Sequence, residues 1–371
     1  MKTIKLLAWL LIFCVCLSVC GVAEDAEAGG ELRVHFVNVG RNDGILIECG
    51  GESAFIDSGV HIVGEKCAQY LQDNGITTLK YYIGTHAHND HVGGAGAILS
   101  KVPAEAILTN HEQAITSMVN NCRTQDGKDA VQRTPWTVVE MGDVFMIGDA
   151  RLACVGPDVI RPYTNYAIGE ENNNSLIFRL TYGNISFLLT ADATNDVLKR
   201  MLKLDPDFLN CTVFKSPHHN LGLHDDVAMQ LKCEYYIFTT SKDNPPGVHH
   251  INNARLVGAK VLITSDNHAG TVVFTTDGET IDYTCENALS EKWGLGITSV
   301  KLKVGNSKSF EHKMRPSRMV DTLNFESSDT SVAVCDPCTG KITAVGVGTC
   351  VIRAIAFDKT VREIEVTVKA K

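Results

Sequence analysis

Apolar and polar positions along this chain change period several times. Residues 32–37 alternate, as a half-buried strand does, and 44–49 and 54–56 are apolar runs parted by the turn pair Gly50-Gly51. Residues 62–74 carry helical spacing and Gly75 is a stop signal. A further strand at 79–84 follows. Others are predicted at 176–180, 185–189, 212–214, 235–239, 260–263 and 271–274, with helices at 195–204, 225–231 and 252–257. Strands interspersed with helices predict an α/β domain of sheets covered by helices.

The pattern changes after residue 285. From 297 onward no window has helical spacing. Short alternating strands are predicted at 299–303, 309–313, 323–326, 332–335, 341–345, 350–354 and 363–368, the pattern of a small all-β sandwich. Gly294 and Gly296 mark the joint. The expected organisation is a leader at 1–23, a linker at 24–31, an α/β domain at 32–285, a linker at 286–296 and a β module at 297–371.

Lys2 and Lys5, the apolar run at 6–19 and the small residues of Gly21-Val22-Ala23 have the order of a secretory signal cleaved after Ala23. Cys20 leaves a lipoprotein signal as the alternative. Either way the expectation is a secreted or cell-surface protein. Net charge is −9, and losing Lys2 and Lys5 with the leader takes it to −11. An acidic chain gains no general attraction to phosphate backbones. Of 13 cysteines, Cys14, Cys16 and Cys20 lie in the leader. The rest are scattered and suggest no disulfide framework. Cys335 and Cys338, with Cys350 nearby, lack a fourth ligand for zinc and read as a turn disulfide or free thiols.

The chemistry concentrates in residues 86–91. His86, His88, Asp90 and His91 follow a predicted strand and precede Gly93-Gly94. Imidazoles and a carboxylate at this spacing can face one metal position and a neighbouring one, and packing alone does not explain them. The glycines would let the backbone turn tightly behind the ligands.

His-x-His-x-Asp-His resembles the signature of the metallo-β-lactamase fold, an αββα sandwich. Other landmarks resemble the branch containing the extracellular hydrolase domain of the competence protein ComEC. They are the segment 37–47, Phe55-Ile56-Asp57-Ser58-Gly59, Asn173-Asn174-Ser175-Leu176, Leu188-Leu189-Thr190-Ala191-Asp192, Lys215-Ser216-Pro217-His218-His219 and Gly247-Val248-His249-His250. The resemblance implies two divalent metal ions, zinc first and manganese as an alternative, with Asp192 bridging them. It implies that His218 or His219 completes the first site, and that His249 or His250 completes or flanks the second. Asp90 would hold metal and orient the nucleophile, His249 could protonate a leaving group, and Asp57 could support a ligand from behind. The chain departs from the branch at Gly40-Arg41-Asn42-Asp43, where relatives have Gly-Gln-Gly-Asp, at Asn220 and at Ala191.

The implied activity is metal-dependent hydrolysis of a phosphodiester or other small ester, with nucleic acid and phosphocholine esters both open as substrates. The stretch 323–349 resembles the bacterial Ig-like domain, group 2, a module of surface proteins that serves as a spacer or contacts cell wall or glycan. A surface adhesin with a non-catalytic first domain is the alternative reading.

Overall fold

A computed structural model describes residues 30–161, 168–219, 221–289, 293–313 and 322–371. The leader at 1–23 with Cys20, linker residues 24–29 and Asn220 lie outside the described residues.

Two sheets face each other across the first domain. One has eight strands in the order Ile281–Cys285, Val272–Thr276, Leu32–Phe36, Ile45–Cys49, Glu52–Ile56, Leu79–Gly84, Ala104–Thr109 and Trp136–Val138. The other has seven, in the order Lys260–Ile263, Tyr235–Phe238, Val213–Lys215, Ile185–Leu189, Ile177–Tyr182, Ala150–Gly156 and Val144–Ile147. Side chains alternate between faces along a strand. Ile45, Ile47 and Ile56 therefore enter the inter-sheet core with Phe178, Phe187 and Phe274. Leu46, Phe55 and Tyr82 point the other way, onto the helices His61–Asp73 and Ala95–Leu99. The second sheet sends Leu188, Phe214 and Tyr236 outward against the helices Asn195–Leu204 and Val248–Leu256. The layers run helix, sheet, sheet, helix.

The sequence pattern assigned no element between 85 and 175. The structure places there the strands that widen both sheets, and the helices Glu112–Asn121 and Gln125–Arg133. These helices are short, and the second is mostly polar with only Gly127, Ala130 and Val131 buried. With Val131 as its one large apolar residue, the second carries little hydrophobic content by which to read a helix.

The C-terminal module is all β. A four-stranded sheet (Ser299–Lys303, Val361–Lys369, Gly348–Ile355, Asn324–Ser327) faces a three-stranded one (Ser307–Lys308, Ile342–Ala344, Ala333–Cys335) over a core that includes Val332, Ile352, Ile364 and Val366. The strand expected at 309–313 is displaced: Ser307–Lys308 joins the small sheet, and His312–Lys313 pairs with Gly294–Leu295.

The joint is packed. Trp293 is buried and its Nε1 donates to Thr360 Oγ1 at 2.9 Å. Tyr283 donates its hydroxyl to the Phe357 carbonyl at 2.9 Å. Buried Arg255, on the helix Val248–Leu256, donates to the carbonyls of Cys338 (3.0 Å) and Leu323. Leu323, Ala354, Ala356 and Phe357 belong to the inter-sheet core of the first domain.

All ten cysteines after the leader are free, so Cys335 and Cys338 form no turn disulfide. Their thiols face the carbonyls of Gly340 (3.1 Å) and Asn252 (3.7 Å) instead.

Candidate metal centre

The site is assembled where strands end. Asp57 follows the strand Glu52–Ile56 at φ 58°, a conformation unusual outside glycine. Its carboxylate accepts from the Thr85 backbone N–H (2.9 Å) and the Thr85 hydroxyl (2.8 Å). That clamps the chain just as it leaves the strand Leu79–Gly84. Fully buried His86 comes next, with Nε2 3.0 Å from His88 Nδ1. One helical turn, Asn89–Val92, then presents Asp90 and His91. Gly93 and Gly94 have helical backbone angles, so their role is space rather than a tight turn. A Cβ on Gly93 would lie 2.0 Å from Asn89 Oδ1, and one on Gly94 2.6 Å from the Cα of Gly64.

His91 Nδ1 donates to Asp57 Oδ2 at 2.7 Å, which turns Nε2 toward the centre. That atom faces Asp192 Oδ2 at 3.2 Å. Asp192 follows the strand Ile185–Leu189 through Ala191, whose φ is 44°. His218 and His219 follow the strand Val213–Lys215 with φ of 51° and 59°. His218 Nε2 is 3.6 Å from Asp192 Oδ2, and His219 Nε2 is 3.6 Å from Asp192 Oδ1 and 4.0 Å from Asp90 Oδ2. Asp192 thus stands between the two histidines, one on each oxygen. Four non-glycine residues with positive φ at one site are strain that the surrounding fold must hold in place.

The electrostatics are those of a site short of positive charge. Burial opposes charge on His91, yet Asp192 and Asp57 outweigh it and push its pKa well above the usual histidine range. Burial and the neighbouring His91 push His86 well below it. Asp192 is held well below the carboxylate range, because His91 and His219 outweigh its burial. Buried Asp43 lies low too, since Lys215 and His219 overcome desolvation. Within the cluster, His91 Nε2, Asp192 Oδ1 and both ring nitrogens of His219 are buried without hydrogen-bond partners. Each such orphan costs about 1–3 kcal/mol. Ligand atoms of His86, His91 and Asp192 lie within 4.8 Å of one another, as do those of Asp90, His91 and His219. Buried orphans converging at that range fit a divalent metal.

The structure brings together His86, His88, Asp90, His91, Asp192, His218 and His219, including both members of the pair between which the sequence did not choose. It does not bring His249 to them. His249 lies on the helix Val248–Leu256 with its side chain 63% exposed, and its Nε2 pairs with Asp225 at 2.6 Å. His250 Nδ1 faces the Leu223 carbonyl. Helix formation from Gly247 onward turns this pair onto the surface.

Three supporting groups had no assigned role in the sequence. Asp43 accepts from Thr239 Oγ1 (2.6 Å) and from Lys215, and lies 3.5 Å from His219 Nδ1. Lys215, fully buried, also donates to the Ala191 carbonyl at 3.0 Å, beside Asp192. Buried Glu171 accepts from the N–H of Ala87 (2.9 Å), between His86 and His88, and lies 3.0 Å from His111 Nε2. For Asp43 and Lys215 the available signal was a charged residue beside an apolar run, which a fold buries only with a partner; Glu171 lies in the polar run 170–175 and carried no such signal.

With this geometry in view, comparisons with known proteins add the following. Residues 36–153 match the Metallo-beta-lactamase superfamily, in accord with the layered fold. The chain is 25% identical over 230 residues to ComE operon protein 3 of Bacillus subtilis (strain 168), a match covering 61% of this chain and 27% of that protein. The chain thus spans about a quarter of that relative's length. Among solved structures, it resembles a putative metal-dependent hydrolase from Parabacteroides distasonis ATCC 8503 (13% identity, TM-score 0.40, 63% of this chain and 93% of that one). It also resembles a diphosphatase from the PhnP family (14% identity, TM-score 0.39, 63% and 94%).

Proposed function

We propose that this chain is an exported, metal-dependent hydrolase of phosphodiesters. The observation that carries the reading is the convergence of His86, Asp90, His91, Asp192 and His219, with buried, unpartnered ligand atoms at their centre and His88 and His218 alongside. The superfamily match over 36–153 supports hydrolysis, since that superfamily consists largely of metal-dependent hydrolases.

In this reading His86, His88 and His218 would hold one ion, Asp90, His91 and His219 would hold the other, and Asp192 would be shared. The imidazole-rich set favours zinc, with manganese as the alternative. When bound, the ions supply Lewis acidity and a water that loses its proton near neutral pH. Asp90, with its side chain 46% exposed, stands at the solvent side, where its carboxylate would accept a hydrogen bond from the attacking water. Asp57 bonds His91 at Nδ1, and Asp43 stands 3.5 Å from His219 Nδ1, so each carboxylate lies behind a ring whose Nε2 faces Asp192. Glu171 holds the Ala87 amide, and with it the loop that carries His86 and His88.

Export through the leader at 1–23 and an Ig-like identity for the C-terminal module, with a cell-wall or glycan contact, belong to the same proposal. No described helix is long and apolar enough to cross a membrane.

The test is hydrolysis of bis-p-nitrophenyl phosphate by the mature chain. Turnover abolished by a chelator and restored by zinc or manganese is expected. Turnover that survives metal removal would refute the metal mechanism. Metal binding without turnover on any diester would favour the adhesin reading.

A further inference from the structure

Cys211 and Cys233 occupy matching positions on neighbouring segments. Asn210 bridges Lys232 in parallel, and the ladder resumes with Val213 opposite Tyr235, the same offset on both sides. The Cys211 N–H donates to the Lys232 carbonyl at 3.0 Å, and the Glu234 N–H donates to the Thr212 carbonyl at 3.0 Å. Cys211 is thereby set against Cys233. Neighbouring strands lie about 4.8 Å apart, within the Cα separation of about 4.4–6.8 Å that a disulfide spans. Both side chains are half-buried and pack against one apolar cluster, which includes Leu209, Phe214 and Tyr236. Among the described strands no other two cysteines are so placed. Cys49, Cys154, Cys285, Cys335 and Cys350 lie opposite Leu32, Phe178, Val272, Ile342 and Val366.

The segment between the two thiols carries part of the metal centre. Residues 211–233 hold the strand Val213–Lys215, then His218 and His219 with φ of 51° and 59°, then the short helix Asp225–Ala228. Left-handed angles at two adjacent histidines persist only where the surroundings hold them. A covalent tie at the base of this loop removes unfolded conformations that compete with the folded one.

We propose that Cys211 and Cys233 form a disulfide that closes the loop bearing His218 and His219. The oxidant is a small-molecule disulfide such as oxidised glutathione. The Cys211 thiolate attacks one sulfur of the donor, the donor's S–S bond breaks and one thiolate leaves. Cys233 then loses its proton and attacks Cys211 Sγ in the mixed disulfide, which displaces the second thiolate. The two cysteines give up two electrons and two protons, and the donor becomes two thiols. Burial pushes both thiols up, Cys211 to about 12. Such thiols attack slowly once buried and leave slowly from a disulfide. The bond therefore forms as the chain folds, while the thiols still titrate near about 8.5, and persists afterwards. This inference goes beyond the hydrolase reading and stands without it.

The test refolds the full chain in a glutathione redox buffer, blocks free thiols and digests with trypsin without reduction. The tryptic peptides 204–215 and 233–242 each contain one cysteine, so a linked pair identifies the bond by mass. The same digest of protein exported to a bacterial periplasm reads the bond without refolding. The linked pair is expected in both. Free thiols at both positions, or either cysteine joined to a different one, would overturn the proposal. Melting of the oxidised wild type should lie roughly 5–10 °C above that of its reduced form, and a C211S/C233S variant should lose this dependence on redox state. With a chelator present throughout, amide hydrogen exchange across 216–224 should be roughly tenfold slower in the oxidised protein. Equal exchange with the bond in place would refute the bracing of the histidine loop. A linked pair in a protein that neither binds metal nor cleaves a diester would uphold the disulfide and refute the hydrolase.

Discussion

His91 and His249 both sit on short helices beside carboxylates, and both follow landmarks that suggested metal ligation. Their surroundings differ in one respect that decides their chemistry. His91 is fully buried between Asp57 and Asp192, with Nε2 unpartnered. His249 is 63% exposed and makes a single pair with Asp225. A surface pair is complete with its partner and water, and contributes little. A buried cluster with more carboxylate than cation is not complete, and a divalent ion supplies what is missing. Residue type offers a ligand, and burial without a partner makes the site.

The sharpest way to break this contrast is to delete one residue from each region. Asp192→Ala should lower diester turnover by on the order of 10³-fold, about 4 kcal/mol of transition-state stabilisation, while His249→Ala should cost less than about threefold. Steady-state kinetics with added metal reads both, and equal losses would erase the distinction. The supporting carboxylates come next. Asp57→Asn and Asp43→Asn should weaken metal affinity by roughly 10–100-fold, measured by competition with a chromophoric chelator. Unchanged affinity would mean that these carboxylates do not orient the histidines.

The seam between domains offers a third region, buried like the cluster but tied by protein donors to protein carbonyls. Arg255→Ala removes the donor to the carbonyls of Leu323 and Cys338 and should cost roughly 2 kcal/mol in a urea melt. Metal content should not change.

The smallest effect concerns pH. His268 is buried in the seam, donates or accepts at Thr322 Oγ1 (2.8 Å) and stacks on Phe357, and burial lowers its pKa from 6.5 to about 3. The unfolded chain takes up a proton below pH 6.5 and the folded chain does not. Its stabilising contribution is therefore full above 6.5 and is lost as pH falls toward 3. Between pH 7.5 and 5.5 this residue alone should remove about 1.4 kcal/mol. His268→Gln should flatten the pH dependence of unfolding by that amount, and an unaltered slope would contradict the assignment.

The sequence showed the centre well where the chemistry is contiguous. His86 to His91 is a local motif, and Asp192 was reached through the resemblance of Leu188-Leu189-Thr190-Ala191-Asp192 to a family landmark. The choice between His218 and His219 was not legible. Both take left-handed backbone angles, so spacing says nothing of direction, and both reach Asp192. His249 was misplaced because the order of landmarks does not reveal that a helix turns the pair outward. Asp43, Lys215 and Glu171 act across separations of 172 and 84 residues, beyond any local pattern. The packed joint was read as a linker because Trp293 and Leu323 join a core built by distant strands.

The central claim is that the cluster is a two-metal site, and counting metal tests it without any substrate. Mature protein purified without chelator and dialysed against a metal-buffered solution should retain about two divalent ions per chain. Asp192→Ala should lose at least one of them. Wild-type protein that stays metal-free after reconstitution, with the fold intact by circular dichroism, would contradict the account at its root.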